Sequence, residues 1–93
     1  MITAIVNINA AVDRIPEVAQ AIAELEGVSE VYSVAGDVDL VAIVRVRRHE
    51  DLADIIAGRL NKVEGVQATQ TLIAFQAYSK HDLESTFSLG IEP

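Results

Sequence analysis

Two carboxylates, Asp37 and Asp39, flank Val38 in a polar break between apolar stretches. In an extended chain, alternation sets both on one side of the pleat, where they repel unless a cation or hydrogen-bond donors lie between them. Such a pair can hold the ammonium of an amine-bearing ligand, whose own carboxylate would go to backbone amides or hydroxyls nearby. The plainer reading is a Gly36-Asp37 hairpin turn, with Asp39 as a solvated first strand residue. Spacing alone is compatible with both. The histidines offer less, since His49 and His81 form no HxH, HExxH or carboxylate-histidine spacing and read as capping or solvent residues rather than metal ligands or general bases. The five glycines are scattered rather than gathered into a phosphate cradle, which argues against a nucleotide cofactor. With no cysteine, disulfides, thiolate metal sites and cysteine nucleophiles are excluded. Neither a cofactor nor a metal is expected.

The elements that must position the acidic break follow from periodicity. Ile2, Ala4, Val6 and Ile8 alternate with Thr3, Ile5 and Asn7, the period of a strand. Ile15, Val18, Ile22 and Leu25 recur at steps of three and four, which predicts a helix over 15–25, capped by Asp13, with Pro16 in its first turn and Gly27 at a left-handed C-terminal cap. Val28 to Ala35 reads as a second strand and Val38 to Val46 as a third, with both faces of the third largely apolar and the strand therefore central in its sheet. His49, Glu50 and Asp51 open a second helix, with acidic residues at its positive end, followed by Leu52, Ile55, Ile56 and Leu60 at helical spacing. Val66 to Tyr78 gives a fourth strand, with Thr69, Thr71, Ile73 and Phe75 on one side. From Lys80 onward, Leu83, Phe87, Leu89 and Ile91 among polar residues suggest a short helix or a docking arm.

The order is β-α-β-β-α-β, and Leu25-Glu26-Gly27-Val28 recurs as Val63-Glu64-Gly65-Val66. The expected fold class is α+β and ferredoxin-like, a four-stranded antiparallel sheet with two helices on one face. Whichever face of the third strand points away from the helices is still rich in Leu, Val or Ile. Face-to-face pairing of two sheets, as in dimeric α/β barrels, is the simplest way to bury it.

Composition bounds the rest. Ninety-three residues make one domain, expected to comprise a core over 1–78 and a tail over 79–93. With 51 per cent hydrophobic and 23 per cent charged residues the chain has the composition of a folded protein. Fourteen acidic against seven basic residues leave a net charge of −7, which disfavours direct nucleic-acid binding. The first residues, Met1 to Val6, lack a signal peptide's positive start, and no run is long enough to span a membrane, so the reading is cytoplasmic with no membrane partner.

The stretch Val34-Ala35-Gly36-Asp37-Val38-Asp39-Leu40-Val41-Ala42, followed by Val63-Glu64-Gly65-Val66-Gln67-Ala68-Thr69-Gln70-Thr71, resembles the C-terminal effector domain of the Lrp/AsnC feast/famine regulators, the RAM domain. That family's pattern is a Thr-Gly-x-x-Asp-x-x-Leu turn after a strand, an acidic helix and a Gly-Val-x-x-Thr-x-Thr strand. The resemblance runs from the first strand to Tyr78. It implies an amino-acid-sensing domain that dimerises through its sheets and assembles into octamer or decamer rings, with the effector in clefts between dimers. Carried over by position, the ligand-binding residues are Ala35, Gly36, Asp37, Val38 and Asp39, with Thr69 and Thr71 as companions. Ala35 stands where the family commonly has threonine, and Val38 where it often has an aromatic residue. The first strand is expected to begin at residue 2, which would leave no place for the family's helix-turn-helix. The resemblance is therefore to stand-alone members, expected to act with full-length Lrp/AsnC regulators.

Three functional readings follow: an oligomeric amino-acid sensor, an assembly adaptor that has lost its ligand, and a small enzyme of the dimeric α+β barrel type. The enzyme reading is disfavoured, because the chain has no Trp, only Tyr32, Phe75, Tyr78 and Phe87 as aromatics, and both histidines outside the strands.

Overall fold

The computed structural model describes residues 1–80. The expectations for Leu83, Phe87, Leu89, Ile91 and His81 therefore lie outside the described residues.

The described chain forms β1 (Ile2–Ala10), a 3-10 turn (Val12–Arg14), α1 (Ile15–Ala23), β2 (Val28–Ser33), β3 (Leu40–Val46), α2 (His49–Ile56), a second 3-10 turn (Leu60–Lys62) and β4 (Val66–Ile73). The four strands form one sheet in the order β2-β3-β1-β4, with every neighbouring pair antiparallel. This is the ferredoxin-like α+β arrangement that the element order predicts.

Alternation decides what the sheet buries. Ala4, Val6, Ile8 and Ala10 of β1 and Leu40, Ala42, Val44 and Val46 of β3 point to one side and are all buried. Val18 and Ile22 of α1, Leu52, Ile55 and Ile56 of α2, and Leu60 join them in a single core, so both helices cover the same face. Burying a Val, Leu or Ile side chain stabilises by roughly 1.5–3 kcal/mol, and this face carries most of the fold's apolar burial. β3 lies between β2 and β1, as its two apolar faces require.

The internal echo is a repeated turn. Val28 N–H donates to Leu25 O at 3.2 Å and Val66 N–H to Val63 O at 3.1 Å. Gly27 and Gly65 occupy the third position of these turns with φ of 94° and 99°, the type II pattern that requires a residue tolerant of positive φ. Each turn delivers the chain from the helical layer back into the sheet.

Several boundaries differ from expectation for local reasons. α1 stops at Ala23 with Glu24 at its C-cap, so Gly27 serves the turn rather than the helix cap. Asp13 does not cap α1, because it lies inside the 3-10 turn; Arg14 holds the N-cap position without a side-chain bond. β2 ends at Ser33 rather than Ala35, and β3 begins at Leu40 rather than Val38. β4 ends at Ile73 rather than Tyr78, although Ala74 N–H still donates to Thr3 O at 2.9 Å, and Phe75 lies beyond the strand, fully exposed. No helix among the described residues is long and apolar enough to cross a membrane.

Candidate functional site

The acidic break is a loop pinned at its base. Val34 N–H donates to Asp39 O at 3.1 Å, closing residues 34–39 between β2 and β3. Within it Gly36 has φ 149°, while a Cβ added there would meet no atom within 4 Å. Backbone conformation rather than space therefore selects glycine at this position.

Asp39 fastens the loop to the end of β1. Its own N–H donates to Ile8 O at 3.0 Å. Its carboxylate oxygen Oδ2 accepts the Ala10 N–H at 2.9 Å. Ala10 is only 2% exposed and lies beyond the last residue of β1 that pairs with β3. Its amide has no strand partner on that side, and a buried unpaired amide costs about 1–3 kcal/mol. The Asp39 carboxylate thus extends the ladder by one rung. Asp39 is half-buried, whereas Asp37 is exposed and makes no hydrogen bond or ion pair among the described residues. The two carboxylates expected to share a pleat side are not strand residues at all. Alternation does not apply to them, and the donor that relieves Asp39 comes from β1.

Thr69 and Thr71 lie across β1 from this loop. Leu40, Ile8 and Thr69 form one row through β3, β1 and β4, and Ala42, Val6 and Thr71 form another. With strands 4.7–4.9 Å apart, Thr69 stands roughly 9–10 Å from the β3 end of its row. Being opposite Ile8 and Val6, both threonines face the helical side of the sheet. The Thr69 hydroxyl donates to Asn61 Oδ1 at 2.8 Å, while Thr71 is exposed. The fold therefore brings Gly36, Asp37 and Thr69 to one end of the sheet but separates loop and threonines by a strand.

The opposite face of the sheet carries the second apolar surface expected of β3 and, beside it, a polar cluster that motif spacing did not indicate. Ile5, Val41, Ile43 and Leu72 form its apolar centre, with Thr3, Asn7 and Gln70 interspersed. At its β2 edge Glu30 accepts from the Tyr32 hydroxyl at 2.8 Å and pairs with Arg45 at 3.1 Å. The Tyr32 hydrogen bond, reinforced by Arg45, holds the Glu30 carboxyl below its ordinary range. The same bond raises the Tyr32 phenol. Cross-strand register brings these groups together, and only knowledge of the β2–β3 pairing, with its shift between Val28 and Glu30, reveals it.

At the far end of the sheet a groove of about 500 Å³ is lined by Met1, Gly27, Arg45, Arg47, Asp54 and Arg59 among others. His49 is not part of it and is exposed at the start of α2. Among the described residues no group of three or more His, Asp or Glu side chains is arranged to hold a metal ion.

The Lrp/AsnC ligand-binding domain matches this chain over residues 3–83. The chain belongs to that family. The match takes in the loop at 34–39 and, apart from the first residue of β1, all strands and helices of the described residues. Among curated relatives, an uncharacterised HTH-type transcriptional regulator of Pyrococcus horikoshii is 41% identical over 59 residues, which are 63% of this chain and 39% of that protein. The chain thus spans well under two thirds of the length of that relative. Among solved structures, TTHA0845 of Thermus thermophilus superposes with a TM-score of 0.81 at 48% identity, covering 86% of this chain and 100% of that one. The transcriptional regulator NMB0573 of Neisseria meningitidis, solved as a complex with L-Met, shares the fold at a TM-score of 0.75 and 15% identity, covering 84% of this chain and 52% of that one. Several of the similar proteins are transcriptional regulators by name, and the matching family is that of a ligand-binding domain.

Proposed function

We propose that this domain is an amino-acid-binding effector module that works as an oligomer and modulates transcription through association with full-length Lrp/AsnC-type regulators. The observation that carries the reading is the loop at 34–39, with Ala35, Gly36, Asp37 and Val38 at the same end of the sheet as Thr69, and Thr71 two residues further along β4. Backbone amides of the loop and the exposed Asp37 carboxylate suit the two charged ends of an amino acid. Because β1 separates the loop from the threonines, the described residues of one chain close no pocket around both. A second copy completing the site would make binding depend on assembly, and an amino acid would then stabilise one assembly over another.

The apolar face around Ile5, Val41, Ile43 and Leu72 supports pairing of two sheets into a homodimer, with octamer or decamer rings built from such dimers. The L-Met complex of the meningococcal regulator supports an amino acid as the ligand class. A net charge of −7 supports a role without direct DNA contact, and the same reading assigns the domain to the cytoplasm.

Calorimetry of the purified protein against each of the common L-amino acids at millimolar concentration tests this. Heat from one or a few of them is expected; silence from all overturns the sensor reading. One observation favours a second reading, that of an assembly adaptor: Ala35 offers no hydroxyl and the Thr69 hydroxyl is already given to Asn61. An adaptor would assemble, bind no amino acid and be indifferent to Asp37→Ala.

A further inference from the structure

We infer that the two carboxylates of the loop divide the work: Asp39 is a positioning residue that shapes the loop from within, and Asp37 is the carboxylate presented to the ligand's ammonium. This rests on the amino-acid-binding reading above. The geometry separates them clearly. Asp39 is held by three bonds at once, from its N–H to Ile8 O at 3.0 Å, from the Val34 N–H to its carbonyl at 3.1 Å, and from the Ala10 N–H to its carboxylate at 2.9 Å. The next residue along, Ala11, donates its N–H to Gly65 O at 2.8 Å. One short stretch of β1 and its end therefore ties the loop on one side and the turn that feeds β4 on the other. Thr69 lies three residues into β4. Asp39 sets the loop relative to the strand that bears the threonines, and the acceptor that Ala10 needs is an oxygen rather than a charge. Asp37 has no such ties among the described residues, and as an exposed residue beside Gly36 it is the carboxylate free to meet a cation.

An oxygen acceptor and a negative charge are separable by Asp→Asn. The test compares Asp39→Asn, Asp39→Ala and Asp37→Asn by calorimetry against the L-amino acids, and follows exchange of the Ala10 amide proton by NMR in each variant. Asp39→Asn keeps an acceptor for Ala10 and is expected to retain affinity within about threefold, with a slowly exchanging Ala10 amide. Asp39→Ala is expected to accelerate that exchange about tenfold or more, as loss of a buried partner requires, and to weaken binding in parallel. Asp37→Asn is expected to weaken binding about tenfold while leaving Ala10 exchange unchanged. If Asp39→Asn loses affinity as severely as Asp37→Asn while Ala10 stays protected, Asp39 meets the ligand through its charge and the division is wrong. If the wild-type protein binds no amino acid, the role of Asp37 falls together with the proposed function, and Ala10 exchange still judges Asp39. Unchanged exchange in Asp39→Ala overturns the positioning role by itself. Should Asp39→Ala not fold, Ala10 protection in Asp39→Asn decides: fast exchange there overturns the role and slow exchange upholds it.

Discussion

β3 presents two rows of similar side chains to two different environments. Leu40, Ala42 and Val44 are fully buried under α1 and α2, whereas Val41 and Ile43, one residue away in each case, are only partly covered by their neighbours in the sheet. Residue type does not distinguish the rows, since β-branched and aliphatic residues fill both. What separates them is that the described residues supply helices for one face and none for the other. The inner row forms the buried core, and the outer row is the surface on which the proposed pairing of two sheets rests.

That contrast is broken most severely from the inside. Ile22→Ala removes a fully buried side chain from α1, and thermal or denaturant unfolding is expected to show a loss of about 2–5 kcal/mol. Gly65→Ala attacks the inner layer through its turn, because φ is 99° and the new Cβ would stand 2.6 Å from Val18 Cγ2. A cost of about 1–3 kcal/mol is expected in the same assay.

On the outer face the expected signature is different. Ile43→Thr keeps a β-branched residue on a central strand and should change unfolding by less than about 1 kcal/mol, yet it should shift sedimentation toward smaller species. A large stability loss without change in mass would erase the distinction between the faces.

The smallest effect concerns the polar edge of the outer face. The lowered Glu30 carboxyl contributes stability above the ordinary carboxylate range, and that contribution is lost as pH falls through its depressed native value. The raised Tyr32 phenol contributes below the ordinary phenol range and loses its contribution as pH rises through its elevated native value. Both groups are exposed, so the readout is titration rather than stability. In a Tyr78→Phe background, phenol absorbance should report Tyr32 alone, and Glu30→Gln should move its midpoint down.

The strands, helices and their order were legible because each depends on a local period, and the repeat was legible because the four-residue pattern around Gly27 returns around Gly65, although Gly27 was expected at a helix cap and serves a turn instead. The family resemblance rested on the same kind of local evidence. What could not be read depends on contacts between distant segments. Whether Val41 or Ala42 faces the helices is invisible when both are apolar. The start of β3 at Leu40 goes with the bond between Asp39 and Ala10, 29 residues apart, and with the backbone at Gly36, so alternation counted from Val38 put Asp39 on a strand it does not join. The orientation of Thr69 and its bond to Asn61 likewise wait on the β1–β4 register. The loop was found by its residue types; its internal division was not.

The most direct test of the account is sedimentation velocity on the purified protein, with and without a panel of amino acids. The account predicts an assembly larger than a monomer whose distribution shifts with one or a few of them. A monomer indifferent to every amino acid would contradict both the pairing of the outer faces and the sensing role built on it.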